Sequence, residues 1–391
     1  MDDYKTRKEK ELLFLQKYSD GEKYLNKKEL ITKIKSLQML KSNIPLSNDS
    51  IDKFCFGKNY VDYTYFRFKN NYTIYNEQKL VGLQYDDEWQ YKTIFFNSGM
   101  AAISALLESI FEMQTIGLTY SEQIYFETYM LLCKENRTKE KFFAYSDAME
   151  PDFNIDNIKT AVLKTNCLGA ILDTTCITET KLEEFVNFSL KNGKLVFLVK
   201  SLTKLDMFAS EYSRMGVLTL IAPQKANDDL SSLYNDLCVK VVERNIRYGS
   251  CPMPVDFPPF WDDELFFELN NTRILKIKTN NQLVYEKLKA NESQNVYSII
   301  KPNHNLFLVL YPKKSYRPKT LFDACQEIVA KLNEKFDLRF CGSFGFDFIA
   351  IDIYINVSDN KPVVRLSLND YDADMVESFA QEFLKVVNEC L

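Results

Sequence analysis

The chain has 391 residues, 46% hydrophobic and 26% charged, the composition of a folded globular protein with more sequence than one ordinary core needs. The formal net charge is −5, with acidic and basic residues interleaved, so no single-sign patch points to nucleic acid or an anionic membrane as partner. No apolar run approaches the roughly 18–20 residues that span a bilayer, and the charged start Met1-Asp2-Asp3-Tyr4-Lys5 resembles neither a signal nor a transit peptide.

Residues 1–45 carry repeated apolar positions, among them Leu12, Leu13 and Leu15, then Ile31, Ile34 and Leu37. The spacing predicts one or two amphipathic helices, broken near Ser19-Asp20-Gly21. Residues 50–90 are rich in Tyr, Phe and Asn without clear periodicity and read as an extended arm, so 1–80 is taken as an N-terminal segment.

From about residue 92 the pattern alternates. Ile103, Leu106, Leu107, Ile110 and Phe111 fall on one helical stripe. Thr160–Leu163, Ala170–Leu172, Lys194–Val199 and Val217–Ala222 are candidate buried strands, with a helix over Leu182–Leu190. The alternation predicts an α/β domain over 81–250 built on a large, mainly parallel sheet, which presents ligands at the carboxyl ends of its strands.

Pro252, Pro254, Pro258 and Pro259 mark a break before a smaller α+β domain, 251–391. Strands are expected over Leu306–Leu310, Phe348–Ile355 and Val363–Leu368, and helices over Leu321–Phe336 and Ala373–Leu391. The one histidine, His304, lies in the turn-like Lys301-Pro302-Asn303-His304-Asn305 and reads as a surface turn residue. A single histidine removes most zinc sites, and no metal site is expected. The nine cysteines form no CxxC pair and read as reduced thiols, which predicts a cytoplasmic protein.

Three segments carry chemistry. Asn97-Ser98-Gly99-Met100-Ala101 opens the helix that holds Ile103, and free N–H groups at such a start bind phosphate, although Asn-Ser-Gly is also a plain N-cap. Lys200-Ser201-Leu202-Thr203-Lys204 follows a strand, so Lys204 can form an imine while Ser201 and Thr203 bind a phosphate; the bland reading is a solvated lysine. Asp173, in Ala170-Ile171-Leu172-Asp173-Thr174-Thr175, closes an apolar strand and can pair with a protonated pyridine nitrogen or simply cap a helix.

Together these segments resemble the cystathionine γ-synthase and γ-lyase family, the Cys/Met-metabolism enzymes that use pyridoxal 5′-phosphate (PLP) on fold type I. Residues 95–107 are similar to the family's Ser-Gly-Met-Ala-Ala motif, and Ser201-Leu202-Thr203-Lys204 to its Ser-x-Thr-Lys. The resemblance implies that Lys204 carries PLP as a Schiff base. It also implies that Ser98, Gly99, Met100, Thr175, Ser201 and Thr203 line the cofactor, and that Asp173 holds its ring nitrogen protonated. Ser121–Tyr129 resembles the segment whose tyrosine, here Tyr125, stacks on the ring. Tyr65 and Arg67, in Tyr65-Phe66-Arg67-Phe68-Lys69-Asn70, match an arm that reaches the neighbouring subunit's cofactor, which implies a homodimer or tetramer. Arg365, in Val364-Arg365-Leu366-Ser367, matches the arginine that grips the substrate α-carboxylate, and Ser343 the serine that assists it.

The expected activity is γ- or β-elimination or replacement on an activated homoserine- or cysteine-type amino acid, as a lyase or transferase, with room for a specialised biosynthetic substrate. The family's Gly-His-Ser-Asp turn after the lysine is replaced here by Leu205-Asp206-Met207-Phe208, so the substrate mouth is expected to differ. A PLP aminotransferase or decarboxylase is the alternative. An inactive family member serving as a scaffold or partner subunit is the second.

Overall fold

The computed structural model describes residues 2–19, 26–42, 53–56, 59–62, 77–120, 124–132, 140–147, 154–177, 179–292, 296–357 and 359–391. In chain order the elements are α1 (Tyr4–Gln16), α2 (Lys27–Ser42), β1 (Lys53–Phe56), β2 (Asn59–Asp62), α3 (Glu77–Val81) and β3 (Trp89–Phe96). Then follow α4 (Gly99–Phe111), β4 (Ile116–Tyr120), α5 (Phe126–Leu132), β5 (Lys141–Asp147), α6 (Ile155–Val162), β6 (Cys167–Asp173), α7 (Glu179–Lys191), β7 (Leu195–Ser201) and α8 (Leu202–Leu205). The remainder comprises β8 (Gly216–Pro223), α9 (Asp228–Arg247), α10 (Glu264–Ala290), β9 (Tyr297–Ile300), β10 (Leu308–Pro312), α11 (Pro318–Phe336), β11 (Leu338–Phe340), β12 (Ile349–Asn356), β13 (Lys361–Ser367) and α12 (Ala373–Cys390).

The large sheet has six strands in the order β3-β8-β7-β6-β5-β4. Strands β4 to β7 run parallel, and β8 is antiparallel to both of its neighbours. Its central strands are apolar on both faces, as a sheet covered on both sides requires. Ala170, Leu172, Val196 and Leu198 enter one core with Phe185 and Val186 of α7. The alternate residues Ile171, Leu195, Phe197 and Val199 enter the opposite core with Leu106, Ile110, Leu237 and Val241 of α4 and α9. The expected α/β class, with its large mainly parallel sheet, is observed.

A second sheet of five strands, β11-β12-β13-β10-β9, is covered by α11 and α12 through Ile328, Leu332, Phe379 and Phe383. Helix α10 begins in the first core with Phe266 and ends in this one with Val284 and Leu288. Helix α1 ties the two sheets together. Phe14 and Leu15 join the first core, while Arg7 donates to the Asp370 carbonyl and pairs with Asp372 at 3.3 Å, beyond β13.

One strand expectation fails. Thr160–Leu163 is the end of helix α6 and the cap beyond it rather than a strand; Ile155, Ile158 and Val162 are its buried face. Residues 53–56 and 59–62 pair as an antiparallel hairpin, and most of the rest of the expected arm lies outside the described residues.

Candidate active site

The site is built at the carboxyl ends of the parallel strands. Asp147, Asp173 and Val199 stand side by side in register at the ends of β5, β6 and β7. Asp173 is buried, and the Thr175 N–H donates to its Oδ1 at 2.9 Å. Burial raises the pKa of Asp173, opposed by the Thr175 hydrogen bonds and the positive charge of Lys204. The Thr174 N–H donates to the Val199 carbonyl at 2.7 Å, and the Ser201 N–H to Thr175 Oγ1 at 3.0 Å. These two bonds lock the end of β6 to the end of β7. Thr175 therefore shapes the site through its backbone and hydroxyl contacts to neighbouring chain.

Lys204 lies in α8, the single turn that β7 runs into. Its Nζ sits 5.8 Å from the Tyr125 ring centroid and 5.6 Å from that of Phe344. Burial lowers its pKa below the ordinary lysine value, Asp173 pulls it back up, and the charge of Arg365 lowers it again. A buried amine between two rings gives up its proton more readily than a solvated one.

The start of α4 reaches the same place. Ser98 caps it, its Oγ accepting from the Ala101 N–H at 3.0 Å. The N–H groups of Gly99 and Met100 belong to the first turn, where an α-helix supplies no intrahelical acceptor. A Cβ added at Gly99 would stand 3.0 Å from Ser201 Cβ, so glycine lets the helix start meet the end of β7. A Cβ at Gly216 would stand 2.5 Å from Gly99 N. The Thr203 hydroxyl is engaged locally, accepting from the Met215 N–H at 3.1 Å.

Tyr125 directly precedes α5, and its N–H donates to Asp147 Oδ2 at 3.1 Å. Burial raises the pKa of its phenol, and Arg365 opposes that shift. Arg365 is buried on β13 and held side-on by Asp352 of β12, with Nε to Oδ1 at 3.0 Å and Nη2 to Oδ2 at 2.7 Å. The rings of Phe307, Phe344 and Tyr354 surround its guanidinium at 5.5, 5.7 and 5.9 Å. Ser343 is partly exposed between Gly342 and Phe344. A Cβ at Gly342 would stand 3.9 Å from Asp352 Oδ2.

The structure thus brings together Ser98, Gly99, Tyr125, Asp173, Thr175, Ser201, Thr203, Lys204 and Arg365, with Met100 in the same first turn of α4 and Ser343 next to Phe344 in the chain. Tyr65 and Arg67 lie outside the described residues. His304 is not on the surface: it is 9% exposed, its Nδ1 accepts from the Leu306 N–H at 3.0 Å, and its ring packs on Phe307. Turn composition identified the bend correctly, but the aromatic packing over it was not visible locally. Sequence reasoning also missed Asp147, Asp352 and Phe344. Asp147 ends a strand just as Asp173 does, so the same pattern could have found it. Among the described residues no cluster of His, Cys, Asp or Glu could hold a metal ion.

No protein-family model matches the sequence, and a search of curated proteins finds no match. Solved structures do match. An O-acetylhomoserine sulfhydrylase of Wolinella succinogenes, in its methionine biosynthetic pathway, aligns over 79% of this chain and 93% of its own, at 14% identity and a TM-score of 0.51. Cytoplasmic aspartate aminotransferase of Giardia lamblia aligns over 81% of each chain, at 11% identity and a TM-score of 0.50. These likenesses show the fold, the aspartate aminotransferase-like fold type I. The identities are too low to show a family.

Proposed function

We propose that this chain is an enzyme that binds pyridoxal 5′-phosphate on Lys204 and acts on an α-amino acid. The observation that carries the proposal is the Lys204 amine, held at a strand end between two aromatic rings, its charge disfavoured by burial and faced by buried Asp173. A cofactor with a phosphate, an aldehyde and a basic ring nitrogen fits this set. The first-turn N–H groups of α4 at Gly99 and Met100, together with the Ser201 hydroxyl, suit the phosphate. Thr203, engaged with Met215, and Thr175, engaged with Ser201, hold the cradle in shape. Asp173 suits the ring nitrogen, and Tyr125 the ring face. When bound, PLP draws electrons away from the substrate Cα.

The chain's own residues do the rest. Arg365 and Ser343 orient the α-carboxylate. Lys204 would serve as the general base that takes the proton from Cα and moves a proton to or from Cβ. Tyr125 stands beside Lys204 and can assist a leaving group. The reaction class favoured by the motifs is γ- or β-elimination or replacement on an activated homoserine- or cysteine-type substrate. Amino-group transfer is the second reading, since an aminotransferase as well as a sulfhydrylase shares the fold. The same reading includes a cytoplasmic homodimer or tetramer in which Tyr65 and Arg67 complete the neighbour's site. It also keeps the division into 1–80, 81–250 and 251–391.

The test is absorbance of the purified protein with PLP, before and after borohydride, beside Lys204→Ala. A band at ~420 nm that borohydride removes and the variant lacks is the expected result. A wild-type protein without that band would sink the proposal. Product analysis then separates keto acid plus ammonia or thiol from amino-group exchange.

A further inference from the structure

We infer that Asp352 is a positioning residue that fixes which edge of the Arg365 guanidinium meets a substrate carboxylate; the inference rests on the role proposed for Arg365 above. The two residues are direct cross-strand partners on β12 and β13. Each is 5% exposed, and their two bonds of 3.0 and 2.7 Å use Nε and Nη2 of the guanidinium.

A guanidinium carries five N–H donors in one plane. A carboxylate bound side-on takes one from Nε and one from Nη2. The protons left are two on Nη1 and the second on Nη2, and one from each of these nitrogens forms the end-on edge. That edge is itself a two-pronged donor of the right width for another carboxylate. Among the described residues no acceptor takes the Nη1 protons, and Nη1 is not one of the buried nitrogens without a partner, which belong to Arg7, Arg244, Arg273 and His304. Among the described residues the free edge is therefore not sealed. Phe307, Phe344 and Tyr354 hem in the guanidinium and oppose its rotation. The Phe344 ring lies 5.6 Å from Lys204 Nζ and 5.7 Å from the Arg365 guanidinium, so both groups meet at one ring and the edge belongs to the Lys204 site.

The pairing has a chemical consequence. Asp352 cancels the charge of Arg365 at short range, so a ligand is attracted less by net charge than by the direction of two N–H bonds. A flat carboxylate matches them, and a lone halide or a misaligned acid does not. Asp352 thus makes the site selective for amino acids by geometry.

The test compares two probes in the PLP-loaded protein by calorimetry: L-alanine and ethylamine, the same molecule without its α-carboxylate. The readout is the ratio of their affinities in the wild type, Asp352→Ala, Asp352→Asn and Arg365→Lys. The expected result is a wild-type preference for alanine that falls at least ~10-fold in Asp352→Ala, because the end-on edge is no longer aimed. Asp352→Asn, whose amide oxygen still accepts from Nε, should lose less, about 3-fold, and it carries the test if the alanine variant does not fold. A ratio unchanged or increased in both Asp352 variants overturns the inference, since a purely structural partner would lower stability without changing discrimination. A wild type that takes up PLP yet shows no preference overturns the role of Arg365, and the inference with it. A wild type that takes up no PLP overturns the functional proposal itself.

Discussion

The backbone of Gly345 is pressed against the carbonyl oxygen of Lys204. Gly345 has φ +87°, and a Cβ there would fall well inside contact distance of that oxygen. The loop before β12 thus seats directly on the turn that holds the amine, and Arg273 of α10 donates from Nη2 to the Gly345 carbonyl at 2.7 Å. Gly345→Ala meets both an unfavourable φ and a blocked position. We expect it to destabilise the protein by about 1–3 kcal/mol in denaturant unfolding. PLP uptake should also fall. Wild-type stability and uptake in the variant would mean that this contact does not hold Lys204.

Lys204 and Asp173 give a pH dependence of definite sign. Burial lowers the Lys204 pKa below 10.5, so between the folded and unfolded values the unfolded chain binds more protons. Stability from this group is therefore gained as pH rises through that window. Asp173 opposes the shift, so Asp173→Asn should move the amine lower still. The check is the pH profile of Lys204 modification by an amine reagent, followed by mass spectrometry. The midpoint should lie below 10.5 in the wild type and lower in Asp173→Asn; a midpoint that stays or rises in the variant rules out the coupling.

His304 acts at the acid end. Burial, with help from Lys278, Lys301 and Arg365, lowers its pKa from 6.5 to about 3. As pH falls below 6.5 the unfolded chain takes up a proton that the folded one refuses, so stability is lost by up to about 1.4 kcal/mol per pH unit. His304→Asn keeps an acceptor for the Leu306 N–H and removes the titration. Urea unfolding between pH 6 and 4 should show a shallower loss in the variant. Parallel slopes for the two proteins would contradict this reading.

The legible part of the fold and site was the part set by short stretches of chain. The positions of Ser98-Gly99 at a helix start, Lys204 after a strand and Asp173 at a strand end follow from local pattern, while their reading as one cofactor site came from the resemblance of the motifs in their order. The misreadings also have physical causes. Thr160–Leu163 is too short to show a period, and Ile155, Ile158 and Val162 reveal the helix only when taken together. Asp352 was invisible because its meaning comes from register: it faces Arg365 only once β12 and β13 pair. His304 was misplaced because Phe307 and its neighbours, not the turn residues, decide what covers the ring.

The attachment of α1 bears on how the molecule assembles. Tyr4 N–H donates to Asp372 at 2.9 Å, and Arg7 reaches the Asp370 carbonyl, contacts that join residues 368 and 363 positions apart. Lys8 joins Asp347 at 2.8 Å and Asp370 at 3.0 Å, and Lys27 joins Asp347 at 2.8 Å. The entropic cost of closing a loop rises only slowly with its length, about 0.6 kcal/mol per doubling, so contacts between the first residues and the last are within reach of a few ion pairs. Helix α1 therefore couples the two sheets, since Phe14 and Leu15 complete the first core while Arg7 and Lys8 hold the chain beyond β13.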